Sequence, residues 1–405
     1  MSTAMNTTSI ASARDRASAA SNVRLILGSG FQPDYVREIA NAYSRAGRSV
    51  EVIGGDMHAG TAFEPNVRFL NLRGRDSKEP SKLGELRKLA KYYARLIRHL
   101  SASPASAIYD VSIGRPFLRC LLMYPLIRLL GKKIIYTAHN VLPHDRATTL
   151  NRAVYFLIYR ALVDVIIVHG QALKTQLVEQ FSVSADRVHV VSHGTYNPVT
   201  NPAVTKRAAR ELLGINPEMA VALVFGFQRP YKGTHFVLES LEHSSVSPSL
   251  TLLIRGQATD SAYRLTLEET IARVEGKVNV NARFESVPDG DVETLFKAAD
   301  VVLLPYLEGS QSGIKYMAYA FGRPVLASRI GSLGEFLEPG VNGELFEPGD
   351  ATGFVETLNQ MLLHPERYDE WRIKELAHNE YSFDAAIRKV DAIYLALCAA
   401  GGEKS

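Results

Sequence analysis

At 405 residues, 46% of them hydrophobic and 22% charged, the chain exceeds the usual size of one hydrophobic core and has the composition of a soluble two-domain globular protein. Its only cysteines, Cys120 and Cys398, exclude a disulfide scaffold or a cysteine-rich zinc site and fit a reducing cytoplasm. The net charge of +4 conceals an asymmetry: residues 1–200 carry 26 Lys+Arg against 14 Asp+Glu, and the remainder 20 against 28. A basic half joined to an acidic half points to an anionic partner for the first half alone.

Residues 1–21 are rich in Ala, Ser and Thr without an apolar run, and are read as a disordered leader. From there strands and helices alternate. Predicted strands lie at 23–30, 49–55, 67–72, 107–112, 132–140, 163–170 and 187–194, with helical spacing between most of them. The longest apolar run, Phe117 to Leu130, is broken by Arg119, Pro125 and Arg128, so it falls short of a membrane span. A polar stretch then reads as a linker over 196–218, closing a first domain of residues 22–195. The pattern restarts with strands at 221–227, 250–257, 278–287, 300–306 and 324–328 in a second domain, 219–380. Residues 381–400 have apolar positions at helical spacing, and predict a closing helix with a route back to the first domain. The fold class expected is α/β, with two doubly wound, Rossmann-like parallel sheets.

In such sheets ligands bind beyond the carboxyl ends of the strands, and unusual residues collect there: Gly28-Ser29-Gly30, His139, His169-Gly170, His193-Gly194 and Gly226. In FGFQRPYKG (225–233), Arg229 and Lys232 precede a helix start, a pairing suited to a diphosphate, although the same residues also read as solvated loop charges. In LLPYLEGSQSGIK (303–315), amides at Ser312, Gly313 and Ile314 suit a phosphate, Ser310 lies in the same loop, and Glu308 suits sugar hydroxyls; an ordinary capped helix start fits as well. His139 and Asn140 sit where a strand in YTAHNVLPHDR (136–146) ends.

In this order, TAHN, RPYKG, EGSQSGIK, AYAFGRPVLAS and GSLGE (331–335) resemble glycosyltransferase family 4, over roughly residues 22–400. Among its members the chain is most similar to enzymes of bacterial exopolysaccharide assembly, some of them mannosyltransferases. The resemblance implies the GT-B fold, two Rossmann-like domains facing across a cleft, with acceptor bound by the first and nucleotide sugar by the second. It implies a hexose, of mannose or glucose type, moved from a GDP- or UDP-linked donor to a glycan or polyprenyl-diphosphate-linked acceptor, with retention of configuration. Carried over residue by residue, it places Lys232 and Arg229 on the donor diphosphate together with Ser312, Gly313 and Ile314. His139 and Glu308 become the catalytic positions, and Gly28, Ser29, Gly30, Asn140, Ser310 and Glu335 other cleft residues. No cofactor and no metal are expected, the cations Lys232 and Arg229 standing in for a divalent ion. The chain departs from the family at its second motif glutamate, which usually holds the ribose: alignment on AFGRPV puts Met317 there. Base contacts are expected near Val287 to Asp291.

Residues 81–100 read as a cationic amphipathic helix, and with the basic first half they predict peripheral contact with the inner face of the cytoplasmic membrane. Nucleic acid is not an expected partner, since no recognition motif accompanies the basic face. Two rivals stay open. One is an NAD-dependent oxidoreductase, against which LGSGFQPD offers Pro33 where a third glycine belongs. The other is a catalytically degenerate scaffold or binding subunit.

Overall fold

The computed structural model describes residues 22–28, 33–75, 81–111, 116–142, 148–195, 200–244, 250–309 and 311–402. The chain divides into two compact units, one reaching to Val191 and taking up Phe383–Ser405 again at the end, the other Ser192–Ser382.

The first unit holds a seven-stranded sheet, all parallel, in the order β3-β2-β1-β4-β5-β6-β7. Its strands are β1 (Val23–Leu27), β2 (Ser49–Gly54), β3 (Val67–Asn71), β4 (Ala107–Asp110), β5 (Lys133–Thr137), β6 (Val165–Val168) and β7 (Val188–Val190). Its helices are α1 (Pro33–Arg45), α2 (Lys82–Ala102), α3 (Pro116–Leu118), α4 (Tyr124–Leu129), α5 (Thr149–Leu157) and α6 (Gln171–Phe181), and wide π-turns, Arg119–Met123 and Ile158–Leu162, prolong α3 and α5. Strands buried along nearly their whole length, such as β4 and β6, are what a parallel sheet covered on both faces requires.

The second unit repeats this order with six parallel strands, β10-β9-β8-β11-β12-β13. They are β8 (Ala220–Phe225), β9 (Leu250–Arg255), β10 (Asn279–Arg283), β11 (Val301–Leu304), β12 (Val325–Ser328) and β13 (Gly343–Phe346). Helices α7 (Lys206–Leu212), α8 (Thr234–Glu242), α9 (Ser261–Val274), α10 (Asp289–Ala298), α11 (Gly313–Ala320), α12 (Ala351–Leu363) and α13 (Glu370–Glu380) complete it. Both sheets reverse their order beside their first strand, as a Rossmann-like α/β domain does. The expected twelve strands all form; β13 is additional. Helix α7 lies in the stretch read as a polar linker and is anchored within the second unit, where Arg210 bonds the Ala298 carbonyl (3.0 Å) and Asp300 (2.5 Å).

The final helix, α14 (Phe383–Gly402), belongs to the first unit. Its Asp391 receives the Nε of the buried Arg24 at 2.6 Å and the Nη2 of Arg48 at 2.7 Å, and the Arg24 guanidinium stacks 3.9 Å from the Tyr394 ring. A buried charge is tolerable only when paired in this way.

One glycine fixes the loop after β8. Gly233 has φ +72°, and a Cβ there would stand 1.9 Å from the Pro305 carbonyl oxygen. Gly233→Ala meets both the left-handed penalty and a backbone overlap, and is expected to cost about 3 kcal/mol, read as a lower urea midpoint.

Candidate functional site

In the second unit the sheet reverses between β8 and β11, so ligands are expected where these two strands end. Beyond β8 the chain turns at Gly226 (φ +95°) and reaches Lys232 through a single helical turn, Pro230–Lys232. The Lys232 Nζ stands 3.4 Å from where a Cβ on Gly226 would lie, and 5.7 Å from the centre of the Tyr306 ring. Arg229 at the head of the same turn is exposed. Among the described residues neither cation has a carboxylate within ion-pair distance. Burial, reinforced by Arg229, pushes the Lys232 pKa down to about 8.

Beyond β11 the chain folds against this turn, the Leu307 amide donating to the Tyr231 carbonyl at 2.8 Å. Glu308 follows, exposed, its amide bonded to the same carbonyl at 3.3 Å. Ser312 caps α11, its Oγ accepting from the Ile314 amide at 3.3 Å and sharing a 2.9 Å hydrogen bond with the Tyr306 hydroxyl. Ile314 approaches the Gly226 position at 3.6 Å. The structure therefore brings Lys232 and Ile314 together at Gly226, with Ser312 and Gly313 preceding Ile314 at the start of α11. A half-buried cation thus lies close to a first-turn residue of α11, and a helix N-terminus favours an anion through its amides and dipole.

Two residues not assigned a role from sequence complete this arrangement. His193 stacks on Tyr316 (5.9 Å, 21°), and its Cε1 stands 3.9 Å from the Cβ position of Gly313. Burial and the Lys315 charge lower its pKa to about 4, so it is neutral at pH 7. Lys315, only 2% exposed, donates from Nζ to the carbonyls of Leu333 (2.9 Å), Ser332 (3.4 Å) and Glu335, so the predicted Glu335 is held by its backbone beneath α11. Met317, at the ribose-glutamate position, packs on the apolar core. A cavity of about 340 Å³ lies beside the ends of β9 and β10, lined by Arg255, Arg283, Glu285, Val287 and Asp291 among others. It covers the span where base contacts were expected.

In the first unit, Gly28 ends β1 with its amide on the Ile53 carbonyl at 2.9 Å. His139 lies just past β5, 9% exposed, with Nε2 at 3.3 Å from the Val111 carbonyl, which makes that nitrogen the donor. Tyr35 on α1 sets its ring edgewise to His139 (5.2 Å) and bonds His169 Nε2 at 3.2 Å, while His169 Nδ1 donates to the Val191 carbonyl at 2.9 Å. These bonds fix the tautomer of His169 and the orientation of Tyr35. Asn140 follows, exposed. Ser29, Gly30, Ser310 and the leader 1–21 lie outside the described residues.

Known families agree with this geometry. Residues 33–195 match the model of Glycosyltransferase Family 4, and residues 205–375 that of Glycosyl transferases group 1. Relatives include D-inositol 3-phosphate glycosyltransferases from Corynebacterium efficiens (30% identical over 57% of this chain and 56% of that protein) and Segniliparus rotundus (25% over 67% and 63%). The chain thus spans between about half and two thirds of the length of these curated relatives. Solved structures of the same fold include Anabaena HepE in complex with UDP-glucose (TM-score 0.68, 20% identity, 92% of this chain and 99% of that one). Another is sucrose-phosphate synthase from Thermosynechococcus elongatus (TM-score 0.71, 17% identity, 94% and 100%). Two doubly wound parallel domains with a cationic switch-point loop define a GT-B protein. The chain belongs to the family 4-like glycosyltransferases.

Proposed function

We propose that this protein transfers a hexose from a nucleoside diphosphate sugar, GDP- or UDP-linked, to a lipid-linked glycan acceptor in polysaccharide assembly. The observation that carries the reading is the desolvated Lys232, with no carboxylate at ion-pair distance among the described residues, set at Gly226 beside the Ile314 side chain in the first turn of α11. A diphosphate set there has its charge met by Lys232, by the exposed Arg229 and by the helix N-terminus. As the glycosidic bond breaks, negative charge grows on the departing diphosphate, and preorganised cations stabilise it. In this reading the cations take the place of a divalent metal, no cofactor is required, and the anomeric configuration is retained. His139 addresses the donor sugar and Glu308 its hydroxyls. HepE, a structural neighbour, is described in complex with UDP-glucose, which supports a nucleotide sugar donor. The cavity at Val287–Asp291 is of a size to take the base. The basic first unit would bring the enzyme to the inner face of the cytoplasmic membrane, where a polyprenyl-diphosphate acceptor resides.

Melting of the full chain with GDP, UDP, ADP, dTDP and NAD tests this reading. One nucleoside diphosphate at 100 times its Kd is expected to add about 2.7 kcal/mol of stability. A shift with NAD alone, or with none of them, overturns it. A binding subunit without turnover is the second reading, favoured by Met317 at the ribose position. Release of free sugar or glycosylated product from the shifting donor decides between the two.

The pKa of Lys232 sets a pH signature. In the free protein it is charged below about pH 8. A bound diphosphate favours the protonated form, so above pH 8 binding must be accompanied by proton uptake. Affinity is expected to fall about twofold between pH 7 and pH 8, and then toward tenfold per pH unit, measurable by calorimetry at matched ionic strength.

A further inference from the structure

Helix α5 and the π-turn after it expose Thr149, Leu150, Arg152, Ala153, Phe156, Leu157, Arg160 and Ala161. The spacing is helical, so these residues form one outward face on which every side chain is apolar, small or cationic. Leu150 is 64% exposed, and the Arg160 guanidinium lies 5.2 Å from the Phe156 ring centre. The segment from Pro116 to Leu129 packs against α5 and adds exposed Phe117, Leu121 (75%) and Leu129 (82%). Helix α2 packs on α4 and contributes exposed Leu83, Leu86, Lys82, Arg87, Lys91, Arg95 and Arg98. Between residues 111 and 163 the chain has eight Lys+Arg and a single carboxylate, Asp145. Large exposed leucines and phenylalanines concentrated on one side of a domain mark an interaction surface.

We propose that this face, centred on Leu121, Leu129, Leu150, Phe156 and Leu157 and rimmed by Arg152 and Arg160, docks in the interface of an anionic phospholipid bilayer. It rests on the lipid-linked acceptor reading above, to which it gives a specific contact surface. A second copy of the chain fits poorly, because an isologous contact places the rim arginines Arg152 and Arg160 against cationic faces of the same kind. A bilayer receives the leucines and phenylalanines in its acyl boundary while the arginines reach its phosphates. Among the described residues no helix is long and apolar enough to cross a membrane, so the contact is along the surface. The apolar run at 117–130 is accounted for in the same way: too short and too charged to span, it turns its leucines outward.

Co-sedimentation of the full chain with phosphatidylglycerol and with phosphatidylcholine vesicles tests the proposal. Partitioning at 0.1 M salt is expected to be at least tenfold stronger for phosphatidylglycerol and to weaken at 0.5 M. Phe156→Ser with Leu157→Ser, and separately Arg152→Glu with Arg160→Glu, are each expected to lose at least tenfold while keeping the nucleotide-induced melting shift. The arginine pair is exposed and carries the test alone should the apolar pair unfold the chain. Equal partitioning into both vesicles, variants that partition as wild type, or a dimer in light scattering that the variants dissolve would overturn it. Absence of any nucleotide shift in a wild type that still binds vesicles would instead defeat the donor reading and leave this surface standing.

Discussion

Lys232→Ala is expected to abolish the stabilisation that the preferred nucleoside diphosphate confers on the wild type. A charge-assisted contact to phosphate is worth about 1.5–3 kcal/mol. At a ligand concentration of 100 Kd, a loss of about 3 kcal/mol weakens binding roughly 100-fold and leaves only about 0.4 kcal/mol of the original 2.7. Turnover should fall further than affinity, because the same cation meets the charge that develops as the diphosphate departs. The unliganded variant supplies the control. Burial holds the Lys232 pKa at about 8, below its ordinary value, so at neutral pH the folded chain carries a cation it would rather lose. That penalty is present below pH 8 and relieved as pH rises toward the ordinary lysine value. Without ligand, Lys232→Ala should therefore melt no lower than wild type at pH 7. An unchanged nucleotide shift in the variant would remove the diphosphate from this loop. Lys232→Arg, which keeps charge but not the length that fits beside Gly226, is expected to fall between the two.

Much of this arrangement was legible in the residues because strand and loop chemistry are local. Runs such as VALVFGF and LTLLIRGQ can only be buried strands, and a strand followed by glycine, cations and a helix start identifies its own ligand end. RPYKG was readable for the same reason: Gly233 is required by the Pro305 carbonyl, and Lys232 precedes it. What escaped the reading depends on tertiary approach. Tyr35 reaches His169 across 134 positions, and His193 meets Tyr316 across a chain separation that no periodicity records. Strand β13 was missed because GELF is short and half polar. Helix α7 was missed because Thr205 and the basic KRAAR stretch look solvated until Asp300 is seen to bind Arg210. Exposure likewise depends on tertiary packing. The cationic pattern of 81–100 drew attention to α2, whereas the largest exposed leucines among these helices lie on the segments packed beside it.

The buried Lys315 was not anticipated at all, and its replacement by methionine should have a large effect on stability, comparable to that of Gly233→Ala. From sequence it is one more lysine in a helix, IKYMAYA, where a solvated position is the default. In the structure it lies on the inner side of α11, reaches under the helix, and donates to the carbonyls of Ser332, Leu333 and Glu335. Burial pulls its pKa down to about 7, with the Glu335 carboxylate opposing. Methionine fills the same stem volume but leaves three carbonyls without their donor. Each unsatisfied buried acceptor costs about 1–3 kcal/mol, partly recovered by removing a desolvated amine, for a net loss of about 3 kcal/mol. A unit of this size converts that into a fall in Tm of roughly 6–12 °C. The turn at 332–335 then loosens, and it adjoins Phe336, which already holds a left-handed backbone at φ +59°. Nucleotide affinity should weaken with it, since Lys315 lies on α11, whose N-terminal amides are proposed to meet the phosphate. A Tm within 2 °C of wild type would mean that the turn holds itself, and that Lys315 is merely accommodated beneath α11.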